Sequence, residues 1–414
     1  MEIAYVYDAI YPWVKGGAEK RIYELSTRLA SRGHTVHCYG IKWWPGEDEI
    51  LRDGVRLHGI CKPRPLYVNG RRSIREAAAF AADLLARPPR EAVVDCQNFP
   101  YLSCFSTCLS SRLSPHHPPR LSSRLSPRLP SRLSPRLPSR LSCWEKGNGQ
   151  APQRLFITWH EVWGEYWYDY LGRRGAAGRI IERAAARLTD CNIAVSRRTK
   201  RDLEGLGAKG VQLLPNGIDW QRIDEISPSP EGSDIIFAGR LAAHKNIDQL
   251  ILAVGMIRSE LPDVQVAIIG DGPERERLRS LTGRMNLDEN IRFYGFMESY
   301  NDTLALMKSS RAFASPSTRE GFGMAALDAN ACGLPVVTVE HRMNAVMDLV
   351  RGDTGFICPL RPQALAEALL SALRESDRMR IPCQELARSY DWERICDRAE
   401  RIYEEGQIRG EDWI

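Results

Sequence analysis

The stretch PSTREGFGMAALDANACGLPVV (316–337) carries the residue types and spacing best suited to chemistry. It predicts a strand, a loop with Glu320, and a helix that begins just after Gly321 and Gly323. Glycines let backbone amides approach a ligand closely. The first amides of a helix have no intrahelical partner and lie at its positive dipole end. The pattern therefore predicts an anion site of the kind that binds phosphate.

Two carboxylates flank this predicted anion site. Glu320 precedes the helix, and Asp328 follows roughly 8 Å along it at a rise of about 1.5 Å per residue. Carboxylates are strong acceptors for hydroxyl groups. A nucleotide sugar would place sugar hydroxyls on one side of a diphosphate and ribose hydroxyls on the other. The alternative is a surface strand, loop and helix whose acids are solvated.

Two further loops add donors for an anion. FAGRLAAHKNIDQL (237–250) places Arg240 and Lys245 directly after a buried strand, where two cations could neutralise a diphosphate leaving group. GGAEKR (16–21) places Gly16 and Gly17 ahead of another predicted helix, which indicates a second amide site.

An aromatic stretch, ITWHEVWGEYW (157–167), surrounds His160. This histidine either contacts a sugar or is a cleft-wall side chain packed among aromatic rings. The tryptophans at 159, 163 and 167 are spaced by four residues, which is more typical of a core than of a sugar platform.

The sequence lacks the residues that several other enzyme chemistries require. HEVWG (160–164) has no second histidine for a zinc protease, and no D-x-D pair for a divalent cation is present. VAIIGDGPER (266–275) begins like a dinucleotide fingerprint, but Arg275 takes the third glycine position. We therefore expect chemistry without a metal or a nicotinamide cofactor.

The elements that must position these residues alternate between short β-branched runs and longer amphipathic runs. Such alternation predicts an α/β protein with parallel sheets covered on both faces by helices. Helical periods fill the gaps, as in AEKRIYELSTRLASRG (18–33), and a terminal amphipathic helix is predicted from about residue 385. The strand candidates are 3–9, 34–40, 92–99, 154–160, 192–196, 211–215, 234–239, 264–270, 291–296, 312–317 and 335–339.

Turn and linker residues between 197 and 233 divide the chain. We place one doubly wound domain at 1–196, a second at 197–385, and a terminal helix at 386–414 that could return to the first domain. A low-complexity insert of Arg, Leu, Ser and Pro occupies 109–142. It is interpreted as an inert expanded repeat in a surface loop, and the alternative is a basic tether to anionic lipid or nucleic acid.

Charge and cysteine content bound the function class. The net charge is +5, but 109–142 holds seven arginines and no acid, so the rest has 50 basic and 52 acidic residues and gives no reason to expect nucleic acid. The eleven cysteines are scattered without C-x-x-C spacing, which favours a reduced cytoplasmic compartment. No secretory signal or apolar run of spanning length is seen, so any membrane contact would be peripheral, at the inner face.

Taken together, these motifs resemble the retaining glycosyltransferases of family 4, which have the two-domain GT-B fold. The resemblance covers nearly all of the chain except 100–150, and its specificity lies in the order of the motifs. They are GGAE (16–19), TWHE (158–161), PNGID (215–219), AGRL…K (238–245), IIGDGP (268–273), FYGF (293–296), EGFGM (320–324) and CGLPVV (332–337). The resemblance implies two Rossmann-like domains that face each other across a cleft.

The resemblance also implies a role for each matching position. Catalysis would involve Glu320 at the transferred sugar, His160 at the sugar or acceptor, and Arg240 and Lys245 at the diphosphate. Asp328 stands where the family usually has glutamate and would meet the ribose. The other donor-binding positions would be Gly16 and Gly17 near the donor phosphate or acceptor, Gly295, Phe296 and Met297 beside the base, and Gly321, Phe322, Gly323 and Met324 around the phosphate.

By this resemblance the protein is expected to transfer a hexose from a UDP- or GDP-linked sugar to an acceptor hydroxyl in a glycan, glycolipid or glycoconjugate, with retention of configuration. The donor is a substrate, no cofactor or metal is expected, and the acceptor would be a sugar or a lipid-linked molecule. Two alternatives stay open: a non-catalytic homologue that only binds a sugar nucleotide, and a GT-B sugar-nucleotide epimerase.

Overall fold

A computed structural model describes residues 1–68, 71–113 and 153–408. In chain order the strands are β1 (Glu2–Val6), β2 (Thr35–Ile41), β3 (Glu49–Arg52), β4 (Val55–Cys61), β5 (Tyr67–Val68), β6 (Arg71–Arg72), β7 (Val93–Gln97), β8 (Arg154–Trp159), β9 (Asn192–Ala194), β10 (Gln212–Leu213), β11 (Ser233–Ala238), β12 (Val266–Ile269), β13 (Ile291–Gly295), β14 (Ser310–Ser315), β15 (Arg319–Glu320), β16 (Val336–Val339), β17 (Met343–Asn344) and β18 (Gly355–Cys358). The helices are α1 (Gly17–Ser31), α2 (Ile74–Ala86), α3 (Tyr101–Leu113), α4 (Tyr166–Leu171), α5 (Gly175–Ala185), α6 (Arg197–Gly205), α7 (Trp220–Glu225), α8 (Ile247–Ile257), α9 (Arg275–Arg284), α10 (Tyr300–Lys308), α11 (Met324–Ala331), α12 (Pro362–Arg388) and α13 (Trp392–Glu405).

Two large sheets organise these elements. The first has eight strands in the order β10-β9-β8-β7-β1-β2-β4-β3, and only β3 runs antiparallel to its neighbour. The second has six parallel strands in the order β13-β12-β11-β14-β16-β18. Every strand candidate from the sequence is confirmed within a few residues. The hairpin β3–β4, the edge strand β18 and the two-residue strands β5, β6, β15 and β17 were not predicted.

Alternation along the central strands builds a core on each face of each sheet. In β1, Ile3 packs into one core and Ala4 into the other, as expected where successive side chains point to opposite faces. In β11, Ile235 likewise packs into the core on one face of the second sheet and Ile236 into the core on the other face. Both sheets are therefore buried on both faces, and the predicted α/β class with two doubly wound parallel sheets is confirmed.

The C-terminal helices connect the two halves of the fold, of which the first is built on the eight-stranded sheet and the second on the six-stranded sheet. Helix α12 packs in the core of the second sheet, whereas α13 places Trp392 and Ile395 in a core of the first sheet beside Ile3. Helix α13 begins where the Asp391 carboxylate accepts a hydrogen bond from the Glu393 amide at 2.8 Å. The terminal helix thus returns to the first half of the chain.

Three sequence predictions concern the limits of these units. Strand β10 joins the first sheet although it lies beyond residue 196, and the division into domains at that residue stays a prediction. Residues 109–113 form the end of α3, and the remainder of the 109–142 insert lies outside the described residues. Within the described ranges, no helix combines the length and apolarity needed to cross a bilayer.

Candidate active site

The loops that follow the strands of the two sheets meet at close range. A Cβ atom on Gly321 would lie 2.2 Å from the carbonyl oxygen of His160, so only glycine permits this approach between the halves. A Cβ on Gly17 would lie 4.0 Å from Cγ of Met324. The motifs around 16, 160 and 320 therefore border one region, as the sequence predicted for a cleft.

The predicted phosphate-binding loop has an open helix end. Helix α11 begins after Gly323, which has a positive φ of 100° and on which a Cβ would lie 2.5 Å from Cγ2 of Val346. Among the residues that the structure describes, no side chain caps this helix, so its first amides are left for another acceptor. The Phe322 ring is buried against Tyr390, with ring centroids 5.9 Å apart, so only the backbone of Phe322 can serve a ligand there.

Lys245 and Glu320 form the polar centre of the site. The Nζ atom of Lys245 donates directly to Oε1 of Glu320, and both side chains are mostly buried. The two loops are held together because the Thr318 amide donates to the His244 carbonyl at 2.9 Å and Asn246 Nδ2 donates to the Pro316 carbonyl at 3.0 Å. A cation and a carboxylate are thus fixed side by side next to the start of α11.

Arg240 lies in the same loop as Lys245 but has an exposed side chain. The loop that carries Arg240 packs on the loop that follows β12, because the Leu241 amide donates to the Asp271 carbonyl at 2.9 Å. The two backbones are so close that a Cβ on Gly270 would lie 1.9 Å from the Gly239 carbonyl oxygen. Among the described residues, no carboxylate forms an ion pair with Arg240. The guanidinium is therefore available to an anionic ligand.

His160 directly follows β8, at the carboxyl end of this inner strand of the first sheet. Its Nε2 atom lies 2.9 Å from Oε1 of Gln97, and its backbone amide donates to Oδ1 of Asn98 at 3.2 Å. Burial, and to a lesser degree the charge of Arg21, lowers the pKa of His160 to about 3. The imidazole is therefore neutral at physiological pH.

An ion pair that the sequence did not predict connects the halves beside these residues. Glu161, next to His160, accepts from Arg319, next to Glu320, through Oε2 and Nε at 3.0 Å and through a second contact between Oε1 and Nη2. Burial opposes ionisation of Glu161, but Arg319 outweighs it and holds the pKa of this carboxyl below its usual value. The clue in the sequence is adjacency alone: each partner directly neighbours a predicted site residue.

Of the tryptophans at 159, 163 and 167, two lie in the core and one lies beside the candidate site. Trp159 and Trp167 are buried in the first half, which confirms the core interpretation for them. Trp163 lies under Arg319, whose guanidinium carbon is 4.7 Å from the ring centroid and 4.0 Å from that of Tyr166. These rings hold Arg319 in place for its pairing with Glu161.

Asp328 is buried and has an internal partner that the sequence did not indicate. The Tyr300 hydroxyl donates to Oδ1 of Asp328 at 2.6 Å, and Nζ of Lys20 lies 3.5 Å from the Tyr300 ring centroid. Burial raises the pKa of Asp328, while Lys20 and the Tyr300 hydrogen bond oppose the rise. The predicted contact of Asp328 with a ribose stays a prediction, and one of its oxygens is already shared with Tyr300.

The remaining predicted donor positions lie at the ends of β13 and α1. Gly295 ends β13 with a positive φ of 74°, and the exposed Phe296 follows it, whereas Met297 packs against the second half's core. Gly16 is extended and precedes α1, and a Cβ there would overlap Oε2 of Glu19 at 2.3 Å. In the ranges that the structure covers, no cluster of three or more His, Cys, Asp or Glu side chains could hold a metal ion.

Two family models match the chain in sequence. Residues 220–389 match Glycosyl transferases group 1, and residues 134–222 match Glycosyltransferase Family 4. A phosphatidyl-myo-inositol mannosyltransferase of Mycobacterium leprae is 33% identical over 227 residues, 51% of this chain and 58% of the relative. A GDP-mannose-dependent alpha-(1-6)-phosphatidylinositol dimannoside mannosyltransferase of Mycobacterium tuberculosis is 27% identical over 248 residues, 57% of this chain. The match with this second relative spans 63% of its length.

Solved structures share the fold over nearly the whole chain. A sucrose-phosphate synthase from Thermosynechococcus elongatus superimposes with a TM-score of 0.74 at 20% identity and covers 98% of both chains. HepE of Anabaena in complex with UDP superimposes with a TM-score of 0.67 at 17% identity, covering 98% of this chain and 100% of its own. The GT-B fold predicted from the motifs is therefore confirmed. On its family matches over residues 134–389 and this fold, the chain is a member of the group 1 glycosyltransferases of the GT-B type.

Proposed function

We propose that this glycosyltransferase moves a hexose from a UDP- or GDP-linked sugar to an acceptor hydroxyl, with retention of the anomeric configuration. The observation that carries the proposal is the Lys245–Glu320 pair, which lies beside the uncapped start of α11. A diphosphate at this helix end would meet backbone amides and Lys245, while Glu320 would face the hydroxyls of the attached sugar.

Charge stabilisation would be the main catalytic contribution. As the bond to the leaving diphosphate breaks, negative charge grows on its oxygens, and Arg240, Lys245 and the α11 amides are preplaced donors for it. Arg240 and Lys245 would neutralise this charge, which a divalent ion does in other enzymes. We therefore propose that transfer proceeds without a metal or another cofactor. No carboxylate is proposed as a covalent nucleophile, and the acceptor would attack from the side that the diphosphate leaves.

The relatives support the choice of substrates. HepE was solved with UDP and also with UDP-glucose, and the mycobacterial relatives are named for GDP-mannose and for phosphatidylinositol acceptors. We therefore propose a nucleoside-diphosphate hexose as donor and a sugar or lipid-linked acceptor. Because a lipid-linked acceptor lies in a membrane, we propose that the reaction takes place at the cytoplasmic face of the inner membrane, through peripheral contact.

The test is release of nucleoside diphosphate from UDP-, GDP- and ADP-hexoses, with and without an acceptor panel that includes phosphatidylinositol vesicles. A transferase releases the diphosphate rapidly only when the acceptor is present, and NMR of the product gives its anomeric configuration. Conversion of one sugar nucleotide to another would indicate an epimerase, and binding without turnover would indicate a non-catalytic homologue. EDTA is expected to leave the rate unchanged.

A further inference from the structure

A buried chain of hydrogen bonds reaches His160 from the interior of the first half. Asp95 and Gln97 lie two residues apart on β7, so their side chains share one face of the sheet. Gln97 Nε2 donates to Oδ1 of Asp95 at 3.2 Å, and Oε1 of Gln97 lies 2.9 Å from Nε2 of His160. Asp95 and Gln97 are each 1% exposed, so water does not compete for these bonds.

The groups around Asp95 hold its carboxyl as an acceptor. Oδ2 accepts from the Tyr403 hydroxyl at 2.6 Å and from the Thr158 hydroxyl at 2.9 Å, while Oδ1 accepts from Gln97. Burial raises the pKa of Asp95 above its usual value, and these three donors, together with the charge of Arg21, limit the rise. Tyr403 comes from α13, so the returning terminal helix supplies one of the donors.

This arrangement fixes the orientation of Gln97 and hence the proton of His160. Gln97 places its amide nitrogen on Oδ1 of Asp95 and its oxygen on His160, which is the orientation that an accepting carboxyl oxygen requires. A carbonyl oxygen also only accepts, so Nε2 of the neutral imidazole must carry the proton. Nδ1 then has the free lone pair, and it has no hydrogen-bond partner within the part of the chain that the structure describes.

We propose that Asp95 and Gln97 are positioning residues that hold His160 in the tautomer protonated at Nε2, so that Nδ1 accepts a hydrogen bond from a hydroxyl of the bound sugar. This role rests on the proposed function. An acceptor nitrogen matches an O–H donor and repels a phosphate oxygen. His160 would thus read a sugar hydroxyl and not the diphosphate, which leaves the anion to Arg240 and Lys245.

The decisive variant is Asp95→Asn, which keeps the shape of the side chain. Its oxygen can still accept from Tyr403 and Thr158, but its amide must now donate to Gln97. The Gln97 amide then turns over, offers its nitrogen to His160, and moves the imidazole proton to Nδ1. The matched control is Tyr403→Phe, which removes one donor but leaves the carboxylate facing Gln97.

The tautomer is read directly by ¹⁵N NMR of the free protein, with the His160 signals assigned by their loss in His160→Gln. We expect the proton on Nε2 in the wild type and in Tyr403→Phe, and on Nδ1 in Asp95→Asn. We also expect Asp95→Asn to lower kcat/KM for transfer by about tenfold or more, as for one mismatched hydrogen bond, with nucleoside diphosphate affinity unchanged.

A proton on Nδ1 in the wild type would overturn the proposal even if no variant folds, and so would an unchanged tautomer in Asp95→Asn. The NMR measurement needs no substrate, so the outcomes separate. The expected tautomers without any transfer would refute the proposed function alone. Transfer with the wrong tautomer would refute only the role of Asp95 and Gln97.

Discussion

The ion pair between Glu161 and Arg319 gives the sharpest test of how the two halves are held together. Their side chains are only 21% and 17% exposed, and they meet through two contacts. Removing one partner of a buried pair costs about 3 to 5 kcal/mol because the other charge stays buried without compensation. Partial exposure reduces this cost, so we expect Arg319→Ala to lower the free energy of unfolding by about 2 to 4 kcal/mol.

Lys15→Ala is the matched control. Lys15 and Glu298 also pair between the halves, at 3.2 Å, but their side chains are 55% and 81% exposed. Exposed pairs contribute about 0 to 1 kcal/mol, so this variant should be nearly as stable as the wild type. Urea unfolding followed by circular dichroism measures both. Equal, small losses in the two variants would show that burial does not make the Glu161–Arg319 contact important.

Three further predictions concern the site itself. Arg240→Ala and Lys245→Ala should each lower turnover by roughly 10²- to 10³-fold, as loss of one preplaced donor does elsewhere, and near-normal steady-state rates in both would contradict the assignment. Asp328→Ala should weaken donor binding by roughly 10- to 150-fold, whereas Tyr300→Phe, which leaves the carboxylate in place, should weaken it less, and calorimetric titration decides between them. The folded state holds the pKa of His160 at about 3, below its ordinary 6.5, so the unfolded state binds the proton first as the pH falls. Between pH 7 and 5, the free energy of unfolding of the wild type should therefore fall by at most about 2 kcal/mol more than that of His160→Asn. Urea unfolding at the two pH values measures this difference. Equal losses in both proteins would show that His160 is not buried in its neutral form.

Hydrophobic patterning was sufficient to predict most of the fold. The buried parallel strands are short apolar runs between amphipathic helices, and that pattern is local. The β3–β4 hairpin was missed although Asp53 and Gly54 form its turn with positive φ angles of 49° and 80°, a dipeptide typical of tight hairpins. Strand β3 lies at the sheet edge and is largely exposed, and β4 begins by alternating buried Val55 and Leu57 with polar residues, so neither strand has a continuous apolar run.

The candidate site was predicted as separate motifs, and the structure adds the contacts between them. Glycine loops and cations have local signatures, which is why the loops at 16, 240 and 320 could be selected. Pairings such as Glu161 with Arg319, or Tyr300 with Asp328, join residues far apart in the chain, and a single sequence carries no signal for them. The same holds for Gln97, which reads as an ordinary residue of a buried strand until its contact with His160 is seen.

In the proposed function, the loops around Lys245 and α11 bind the diphosphate of a sugar nucleotide. Calorimetric titration of UDP, GDP and ADP into the wild type and into the double variant Arg240→Ala/Lys245→Ala tests it most directly. We predict saturable binding of UDP or GDP at one site, and at least about a hundredfold weaker binding by the double variant, equivalent to about 2.7 kcal/mol. Absence of binding by all three nucleotides, or equal affinity in the double variant, would show that these loops do not bind the diphosphate.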